Sequence, residues 1–335
     1  MKIGHSDGVL SDPSGKIVVK PCKLSEINFY ESTPAHPDFI PHIPTFVGRL
    51  SLGPDTSVAQ AAGTLILPGE TIPDPQAGSG IAGAAVIENA WKDSSGGKIQ
   101  TDLAIVLENV ARSYKKPNIL DVKLGARLWA DDAPAAKRAK LDKVAEETTS
   151  KPLGFRIAGM KTYQGEDMVG KGDVTADGYR FYDKFYGRSF NVDTVAEGFQ
   201  EYFLLAKGTK VEGPTRKVIR RFIGDLKEME EVIEKEESRM YSASLLFVYE
   251  GDAQALHDAF TNEKDVLASL QNRSPFDHDT DDNEDDEDTQ SKFPAIQSLK
   301  LIDFAHAQWT PGQGPDKSLL HGIGNVIKLL SEIAG

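Results

Sequence analysis

The sequence is poor in cysteine and in long apolar runs, and each shortage excludes a class of protein. Its 335 residues include one cysteine, Cys22, which cannot form an internal disulfide. We therefore expect a reducing compartment, the cytoplasm or the nucleus. No apolar run approaches the roughly 18 residues that suggest a membrane span. The first residues lack a basic region followed by an apolar stretch, which predicts no secretory signal.

An excess of positive charge is missing as well. The net charge is −13 at pH 7, which argues against direct nucleic-acid binding through a basic surface. Nine acidic residues lie between Asp277 and Asp288, and without them the net charge would be about −4. Such blocks are usually disordered and solvated, so residues 274–293 are predicted to form a disordered acidic loop. The rest of the chain is nearly balanced and can contain a local basic pocket.

Candidate residues for phosphoryl transfer occur in order along the first third of the chain. This chemistry requires a lysine for the phosphates, carboxylates for a metal ion and a backbone segment for adenine. A predicted β-hairpin over residues 9–21 ends near Lys20. A buried strand is predicted over residues 99–108 and is followed by Asn109 and Val110, as a hinge would be. A single lysine at the end of a strand is more often only solvated. The prediction therefore rests on the order in which all the candidate residues follow one another along the chain.

The remaining candidates lie on two later strands. A strand over residues 118–125 carries Asp121 and Lys123, and an apolar run over residues 299–304 places Asp303 near its end. Two helices are also predicted, over residues 131–149 and 216–240. A protein-kinase interpretation fails, because no G-x-G-x-x-G loop precedes the first strand lysine and no H-R-D-type loop is present.

Several segments resemble the inositol polyphosphate kinase family. PNILDVKLG, at Pro117–Gly125, matches the PxxxDxKxG signature of that family, and the other similar segments follow in the family's order. They are GKIVVKPC with EINFYE (Gly15–Glu31), GFRIAGMKTY (Gly154–Tyr163), SASLLFVYEG (Ser242–Gly251) and LIDFAHA (Leu301–Ala307). The DxKxG motif alone would be weak evidence for this family. Similar segments that follow in the same order over nearly the whole chain are specific to it.

The resemblance implies an α+β, kinase-like fold of two lobes. Residues 1–110 would form a small β-rich N-lobe with the hinge at its end, and residues 111–335 a larger α/β C-lobe. A short helical inositol-binding insertion would occupy residues 126–152. Only 28 residues separate Gly125 from Gly154, which resembles the short, open inositol site of multikinases and hexakisphosphate kinases more than the large helical lid of the trisphosphate 3-kinases. The sequence around this insertion is most similar to that of fungal multikinases. The implied enzyme is an ATP-dependent inositol polyphosphate multikinase.

The resemblance also implies roles for residues around ATP. Lys20 would contact the ATP phosphates and pair with Glu26, while Glu108 and Val110 would bind adenine through their backbone groups. Asp121 would be catalytically essential, either as an anchor for the ribose or as the group that orients the attacking hydroxyl. The residues alone do not separate these two roles.

A second set of residues would hold the metal ion and the substrate. Asp303 would bind Mg²⁺, with Ser244 as an assistant or as a structural residue. Clustered Lys and Arg are the groups that recognise several phosphates. The predicted substrate residues are Lys123, Lys137, Arg138, Lys140, Arg188 and His306. An isolated KRAKLDK is more often a solvated helix face or a nuclear-localisation stretch, but its position between two family segments favours phosphate binding. For His306 a structural role is equally open, as it is for Arg156 on the GFRI strand.

Two alternatives from other classes accompany the kinase hypothesis. The acidic loop resembles those of fungal multikinases linked to transcription-factor complexes, which predicts a nuclear scaffold role and transcription-factor partners. An open basic site also allows phosphoinositide lipids as substrates. The expected location is the nucleus and the cytoplasm.

Overall fold

The computed structural model describes residues 9–51, 64–66, 101–204, 213–271 and 295–335. Within these ranges the chain forms two five-stranded antiparallel sheets and a two-stranded ribbon, flanked by helices. The predicted acidic loop, residues 274–293, lies outside the described residues. None of the helices in the described ranges combines the length and the apolarity that a membrane crossing needs.

The N-terminal sheet begins with the predicted hairpin. The Asp12 carboxylate accepts hydrogen bonds from the N–H groups of Ser14 and Ile17, at 3.1 and 3.0 Å, and Gly15 takes the left-handed conformation that the turn requires (φ 67°). The strand order is β1-β2-β5-β3-β4. The strands are β1 (Leu10–Ser11), β2 (Ile17–Pro21), β3 (Phe46–Ser51), β4 (Thr64–Ile66) and β5 (Leu103–Glu108). In the described residues, the strand predicted over 99–108 therefore begins at Leu103.

Helix α1 (Leu24–Ser32) follows β2 and carries Glu26 towards the centre of the molecule, where this side chain is 2% exposed. Two 3-10 turns, Thr33–Ala35 and Pro37–His42, then replace α-helix. Prolines recur through this stretch, and proline removes the N–H that an α-helical hydrogen bond needs. The stretch leads into β3.

The hinge predicted after β5 connects the two sheets and is fixed to the N-terminal hairpin. Asn109 donates its backbone N–H to the carbonyl of Lys16 at 2.9 Å, and its side-chain amide donates to the carbonyl of Gly15 at the same distance. Its side-chain oxygen accepts from the N–H of Ala111 at 3.2 Å. One asparagine therefore joins the hairpin turn to the segment that enters the second sheet.

The second sheet has the strand order β11-β10-β6-β7-β8. Its central strands are in a register that places Lys123 opposite Ser244 on one side and opposite Arg156 on the other. Side chains directly opposite each other in adjacent antiparallel strands share a face of the sheet. The strands are β6 (Pro117–Leu124), β7 (Phe155–Tyr163), β8 (Tyr179–Tyr182), β10 (Ser244–Glu250) and β11 (Gln297–Ile302).

Helices pack on the second sheet and bury its apolar residues. The long helix α6 (Gly213–Lys235) contacts α8 (Lys317–Ala334) and strand β11. The helix predicted over residues 216–240 therefore ends five residues early, because its last residues form β9 (Ser238–Met240), which pairs with β12 (Ala307–Trp309). The other helices of the C-terminal part are α4 (Lys184–Arg188), α5 (Val195–Phe203) and α7 (Ala253–Gln271).

The segment predicted as a helical insertion contains α2 (Ala135–Glu146) and then the short α3 (Ser150–Leu153). The helix predicted over residues 131–149 is thus shorter at both ends, and Pro134 precedes its first residue. Gly154 ends α3 with φ 70°, and a Cβ added there would lie 2.9 Å from the backbone nitrogen of Gly322. Glycine at this position therefore lets the end of the segment contact helix α8 directly.

Aromatic rings join the N-terminal helix to the C-terminal part. Phe29 of α1 stacks on Phe304 and on Trp309, with ring centroids 4.6 and 4.8 Å apart. Tyr30 stacks on Phe46 and meets Phe304 edge-on. These contacts belong to the main core, and they fix α1 beside the residue that precedes Phe304. The arrangement is the predicted α+β fold with a β-rich N-terminal part.

Candidate active site

A cleft lies between the two sheets and is lined mainly by apolar side chains from both. The empty space inside it, which includes open solvent at its mouth, is about 910 Å³. Charged side chains line one part of the cleft. The apolar side chains that line the rest form a surface against which a flat ring can pack. The lining residues include Val9, Val18, Lys20, Tyr30, Leu107, Glu108, Val110, Asp121, Leu246, Val248, Ile302 and Asp303.

The two hinge residues predicted to bind adenine both lie on this cleft. The N–H of Glu108 donates to the carbonyl of Thr45 at 3.0 Å, and its carboxylate accepts from the Thr45 hydroxyl at 2.9 Å. The N–H of Val110 has no hydrogen-bond partner within the described ranges. It is therefore available to a ligand in the cleft.

Lys20 forms the predicted pair with Glu26 and a second ion pair with Asp303. Its Nζ lies 2.7 Å from Glu26 Oε1 and 2.7 Å from Asp303 Oδ1. Burial lowers the pKa of Lys20, but the two carboxylates more than offset this and raise the pKa above its usual range. Glu26 Oε1 also accepts from the backbone N–H of Phe304 at 3.2 Å. The buried glutamate thus fixes both the lysine and the residue after Asp303.

Asp303 is the meeting point of the site. It follows β11 directly and holds a left-handed backbone conformation (φ 71°), which aspartate adopts more readily than most residues and which is common at functional sites. Its second oxygen lies 3.3 Å from Lys123 Nζ, which also donates to the carbonyl of Ser242 at 3.0 Å. Burial raises the pKa of Asp303, but Lys20 and Lys123 outweigh it and hold the pKa well below its usual range. Asp303 is therefore an anion at any neutral pH.

Asp121 has the opposite electrostatic character. It lies on β6 two residues before Lys123, and burial raises its pKa, with Lys123 as the main opposing influence and Asp303 adding to the rise. Its Oδ1 and the hydroxyl of Ser244 are both closed off from solvent without a hydrogen bond of normal geometry among the described residues, but the hydroxyl lies close enough to the carboxylate to lower the pKa of Asp121. Ser244 is therefore placed to serve Asp121 itself.

The oxygen atoms at this point fit a hard divalent cation. Mg²⁺ binds oxygen ligands, often through one or two carboxylates with substrate phosphates and water completing its shell. Asp303 offers an ionised carboxylate, and Asp121 offers a second carboxylate on the wall of the same cleft, beside the hydroxyl of Ser244. The described residues contain no cluster of three or more His, Cys, Asp or Glu side chains that would hold a metal without further ligands. The predicted Mg²⁺ would therefore depend on nucleotide phosphates.

His306 lies three residues beyond Asp303, on a second, more polar depression that also contains Lys23, Asp132 and Tyr241. Burial lowers the pKa of His306, and Lys23 and Lys137 lower it further, whereas Asp132 opposes them. The depression also contains Asp131 and Asp132, which lie just before helix α2. The structure therefore brings His306 close to the start of the segment that carries the predicted substrate lysines.

The three predicted substrate residues on α2 differ in their surroundings. Lys137 and Lys140 are exposed, and residues three apart share one helix face. Arg138 instead donates to the backbone carbonyls of Ala133 and Asp131, the former at 2.6 Å, and its guanidinium lies over the ring of Trp129. Its contacts stabilise the start of α2, so substrate binding by Arg138 stays a prediction that these contacts do not favour.

Two residues at the site were missed by sequence reasoning. Lys23, at the N-terminus of α1, acts on His306, and the hydroxyl of Tyr30 is buried on the cleft without a hydrogen-bond partner in the described part of the chain. Tyr30 lies four residues after Glu26, about one helical turn, so both side chains lie on the same face of α1. This spacing was the signal in the sequence that could have identified Tyr30. Nothing in the sequence distinguished Lys23 from other surface lysines.

The comparisons with known proteins agree with this geometry. The family model for inositol polyphosphate kinase matches residues 104–331. The inositol polyphosphate multikinase of Saccharomyces cerevisiae is 30% identical over 97% of this chain and 95% of its own length. That of Schizosaccharomyces pombe is 28% identical over 97% and 92%. A crystal structure of the S. cerevisiae inositol phosphate multikinase with ADP and Mn²⁺ has a TM-score of 0.62 at 24% identity, covering 95% of this chain and 99% of that one. The last comparison confirms the fold.

Proposed function

The chain belongs to the inositol polyphosphate kinase family, and on this basis we propose that it transfers the γ-phosphoryl group of ATP to hydroxyls of soluble inositol polyphosphates. The proposed substrates run from inositol trisphosphate through the tetrakisphosphate to the pentakisphosphate. Two relatives of nearly the same length are multikinases by name. Inositol hexakisphosphate kinases of mammals match over a shorter region, 68% of this chain and 50% of the mouse enzyme for one of them.

The observation that carries the proposal is the continuous chain of charges Lys20–Asp303–Lys123. It starts in the cleft that contains the hinge and ends at the signature lysine, with distances of 2.7 and 3.3 Å. Phosphoryl transfer depends on positioning and on neutralising charge. Lys20 can hold the ATP phosphates, and Lys123 can contact both the transferred group and the acceptor.

In the reaction, an oxygen of the inositol hydroxyl forms a bond to the γ-phosphorus while the bond from that phosphorus to the β,γ-bridging oxygen breaks. ADP leaves with the electron pair of the broken bond. The hydroxyl proton passes to Asp121 or to water, and Asp121 as a ribose anchor stays the alternative. Mg²⁺, when bound at Asp303, would neutralise charge on the β- and γ-phosphates.

The proposal is tested with pure protein, ATP, Mg²⁺ and a panel of inositol phosphates, with the products separated by charge. We expect each turnover to add one phosphate to the trisphosphate and to the tetrakisphosphate. The Asp121→Ala variant should lose this activity, and Arg220→Gln, on the exposed face of α6, should keep it. Full activity of Asp121→Ala, or no turnover of any inositol phosphate by the unmodified chain, contradicts the proposal.

The predicted roles outside catalysis rest on the acidic loop and on family resemblance. We propose that the chain also binds transcription factors through Asp277–Asp288 and occurs in the nucleus and the cytoplasm. Deletion of these twelve residues should abolish partner binding and leave turnover unchanged; unchanged partner binding would count against the scaffold role. Activity on vesicles that contain phosphoinositides distinguishes the lipid-kinase alternative.

A further inference from the structure

The first turns of α6 present a cationic surface that the proposed reaction does not use. Residues 216–221, here called the cationic end of α6, contain four cationic side chains within six positions. Arg216 and Lys217 are exposed, and neither forms a salt bridge within the described ranges. The second half of the helix instead mixes exposed lysines with exposed glutamates. Positive charge is therefore concentrated at one end of the helix.

Helix α7 lies beside the cationic end of α6. Arg221 forms a salt bridge with Glu263, with Nη1 2.9 Å from Oε1. The Nζ of Lys217 lies 5.4 Å from the centre of the Phe260 ring. Helix α7 ends at Gln271, about 12 Å beyond Glu263 at 1.5 Å per residue. The chain therefore leaves α7 within reach of the cationic end of α6.

The chain returns to the described structure beside the same helix. Strand β11 begins at Gln297 and packs against α6. Phe222 of α6 contacts Phe247 of β10, with ring centroids 5.0 Å apart, and Phe247 lies opposite Leu299 of β11. Both ends of the chain that joins α7 to β11 are therefore fixed next to residues 217–222 of α6.

The joining chain carries the opposite charge, because it contains the nine acidic residues of Asp277–Asp288. An extended chain can span about 20 Å from Gln271 to the first of these residues and about 30 Å from the last of them to Gln297. The attachment at both ends gives the acidic segment an effective concentration on the order of millimolar near α6. Exposed ion pairs are weak one at a time, but here several can form together at high local concentration.

The other basic helix, α2, lies at the opposite end of the second sheet. It belongs to the segment between β6 and β7, whose adjoining ends lie level with Ser244 at the start of β10. Helix α7 instead follows Glu250 at the end of β10, and the seven residues of this strand span about 20 Å. The acidic segment is thus attached near α6 and away from α2.

We propose that the cationic end of α6 is a docking surface for the acidic segment Asp277–Asp288 of the same chain. A protein that binds the acidic segment would then have to displace it from α6. The contact requires neither the kinase reaction nor a transcription factor, so its test uses pure protein and is independent of both proposed roles.

A carbodiimide, which joins a lysine amine directly to a carboxylate, tests the contact in the unmodified chain. Lys217 and Lys227 are both exposed on α6 and form a matched pair. At low ionic strength, mass spectrometry should find residues 277–288 linked to Lys217 roughly fivefold more often than to Lys227, as expected for a few exposed ion pairs. In 0.5 M salt, which screens charges beyond about 4 Å, the two yields should become equal.

Two variants with the same change of charge sharpen the test. Arg216→Glu alters the cationic end of α6 and should reduce the yield of the Lys217 link roughly threefold, whereas Lys235→Glu, at the other end of the helix, should leave it unchanged. Deletion of Asp277–Asp288 gives a reading that needs no cross-link. It should raise the rate at which acetic anhydride acetylates Lys217, relative to Lys227, by about twofold.

Three results would overturn the docking surface. Equal links to Lys217 and Lys227 at low ionic strength would show that the cationic end of α6 is only solvated. Links mainly to Lys137 or Lys140 would place the acidic segment on α2 instead. In a mixture of isotope-labelled and unlabelled chains, links that join a labelled to an unlabelled chain would show that the occupant comes from a second copy.

Discussion

The two halves of the active site manage their charges differently. In the nucleotide half, defined here by Lys20, Glu26 and Asp303, every charge meets an opposite charge within 2.7 Å. In the substrate half, defined by the predicted substrate residues Arg188, Lys137 and Lys140, none of the cations forms a salt bridge with a carboxylate of the described residues, whereas Lys143 of the same helix pairs with Glu147. The charges of the first half are paired within the protein, whereas those of the second half would find their partner in an anionic ligand. Substitutions in the nucleotide half should therefore lower kcat and stability. Substitutions in the substrate half should instead raise KM for the inositol phosphate.

The largest expected effect is that of Asp303→Asn. The substitution removes the carboxylate that pairs with both Lys20 and Lys123 and that would bind Mg²⁺. We expect kcat to fall by roughly a thousandfold or more, because charge stabilisation is usually the largest single contribution to catalysis. Steady-state kinetics at saturating ATP and inositol trisphosphate measure it. Asp132→Asn, which changes an exposed carboxylate near His306, is the control, and a kcat of Asp303→Asn close to that of the control would remove Asp303 from the centre of the nucleotide half.

Much of the nucleotide half could be predicted because it is built from short, local patterns. A β-branched strand that ends on Lys20, a helix that starts directly afterwards and an apolar run before Asp303 are all legible in the sequence. That Asp303 contacts two lysines at once was not predictable. It depends on the closeness of strands β6 and β11, which are both neighbours of β10, and on the left-handed backbone at Asp303.

The substrate half was harder to predict, because composition does not show how a side chain is used. Arg138 and Lys140 looked alike in KRAKLDK, yet Arg138 is held by Trp129 and by backbone carbonyls while Lys140 is exposed. The approach of α4, which carries Arg188, to strand β7 depends on Gly187, because a Cβ there would lie 2.0 Å from the carbonyl oxygen of Ile157. The early end of α6 at Lys235 has the same origin, since pairing with β12 overrides helical periodicity.

The next largest effect concerns the substrate half alone. Replacement of Lys137 and Lys140 together by glutamine should raise KM for inositol trisphosphate about tenfold, since two phosphate contacts are weakened, and leave KM for ATP and the Tm unchanged. Lys143→Gln on the same helix is the matched control, because Lys143 already lies 3.7 Å from Glu147. An equal rise of KM in the control would mean that general charge, and not one face of α2, attracts the substrate.

A smaller expected effect is the pH dependence of stability at the two aspartates near Lys123, whose pKa values shift in opposite directions. The pKa of Asp121 is raised, so the folded state binds its proton more readily than the unfolded state, and ionised Asp121 lowers stability as pH rises through a window above 3.8. The pKa of Asp303 is lowered, so its stabilising contribution is complete above 3.8 and is lost only as pH falls below that value.

Consequently, the Tm difference between Asp121→Asn and the unmodified chain should rise as pH increases from 4 upwards. The deficit of Asp303→Asn should stay constant over the same range. Thermal unfolding at constant ionic strength measures both. A flat difference for Asp121→Asn would show that Asp121 is ionised as readily as an ordinary aspartate, and the contrast between the two groups would disappear.

The smallest expected effect tests the statement that the nucleotide half is paired within the protein. The hydroxyl of Tyr30 is an exception, because it is buried on the cleft near Lys20 and Asp303 without a partner in the described residues. If the hydroxyl has no ligand, Tyr30→Phe removes an unsatisfied polar group and keeps the ring contacts with Phe46 and Phe304. The free energy of unfolding should then rise by about 1 kcal/mol, with KM for ATP unchanged. A lower stability together with a higher KM for ATP would instead show that the hydroxyl serves the nucleotide, and the half that looks complete would also depend on its ligand.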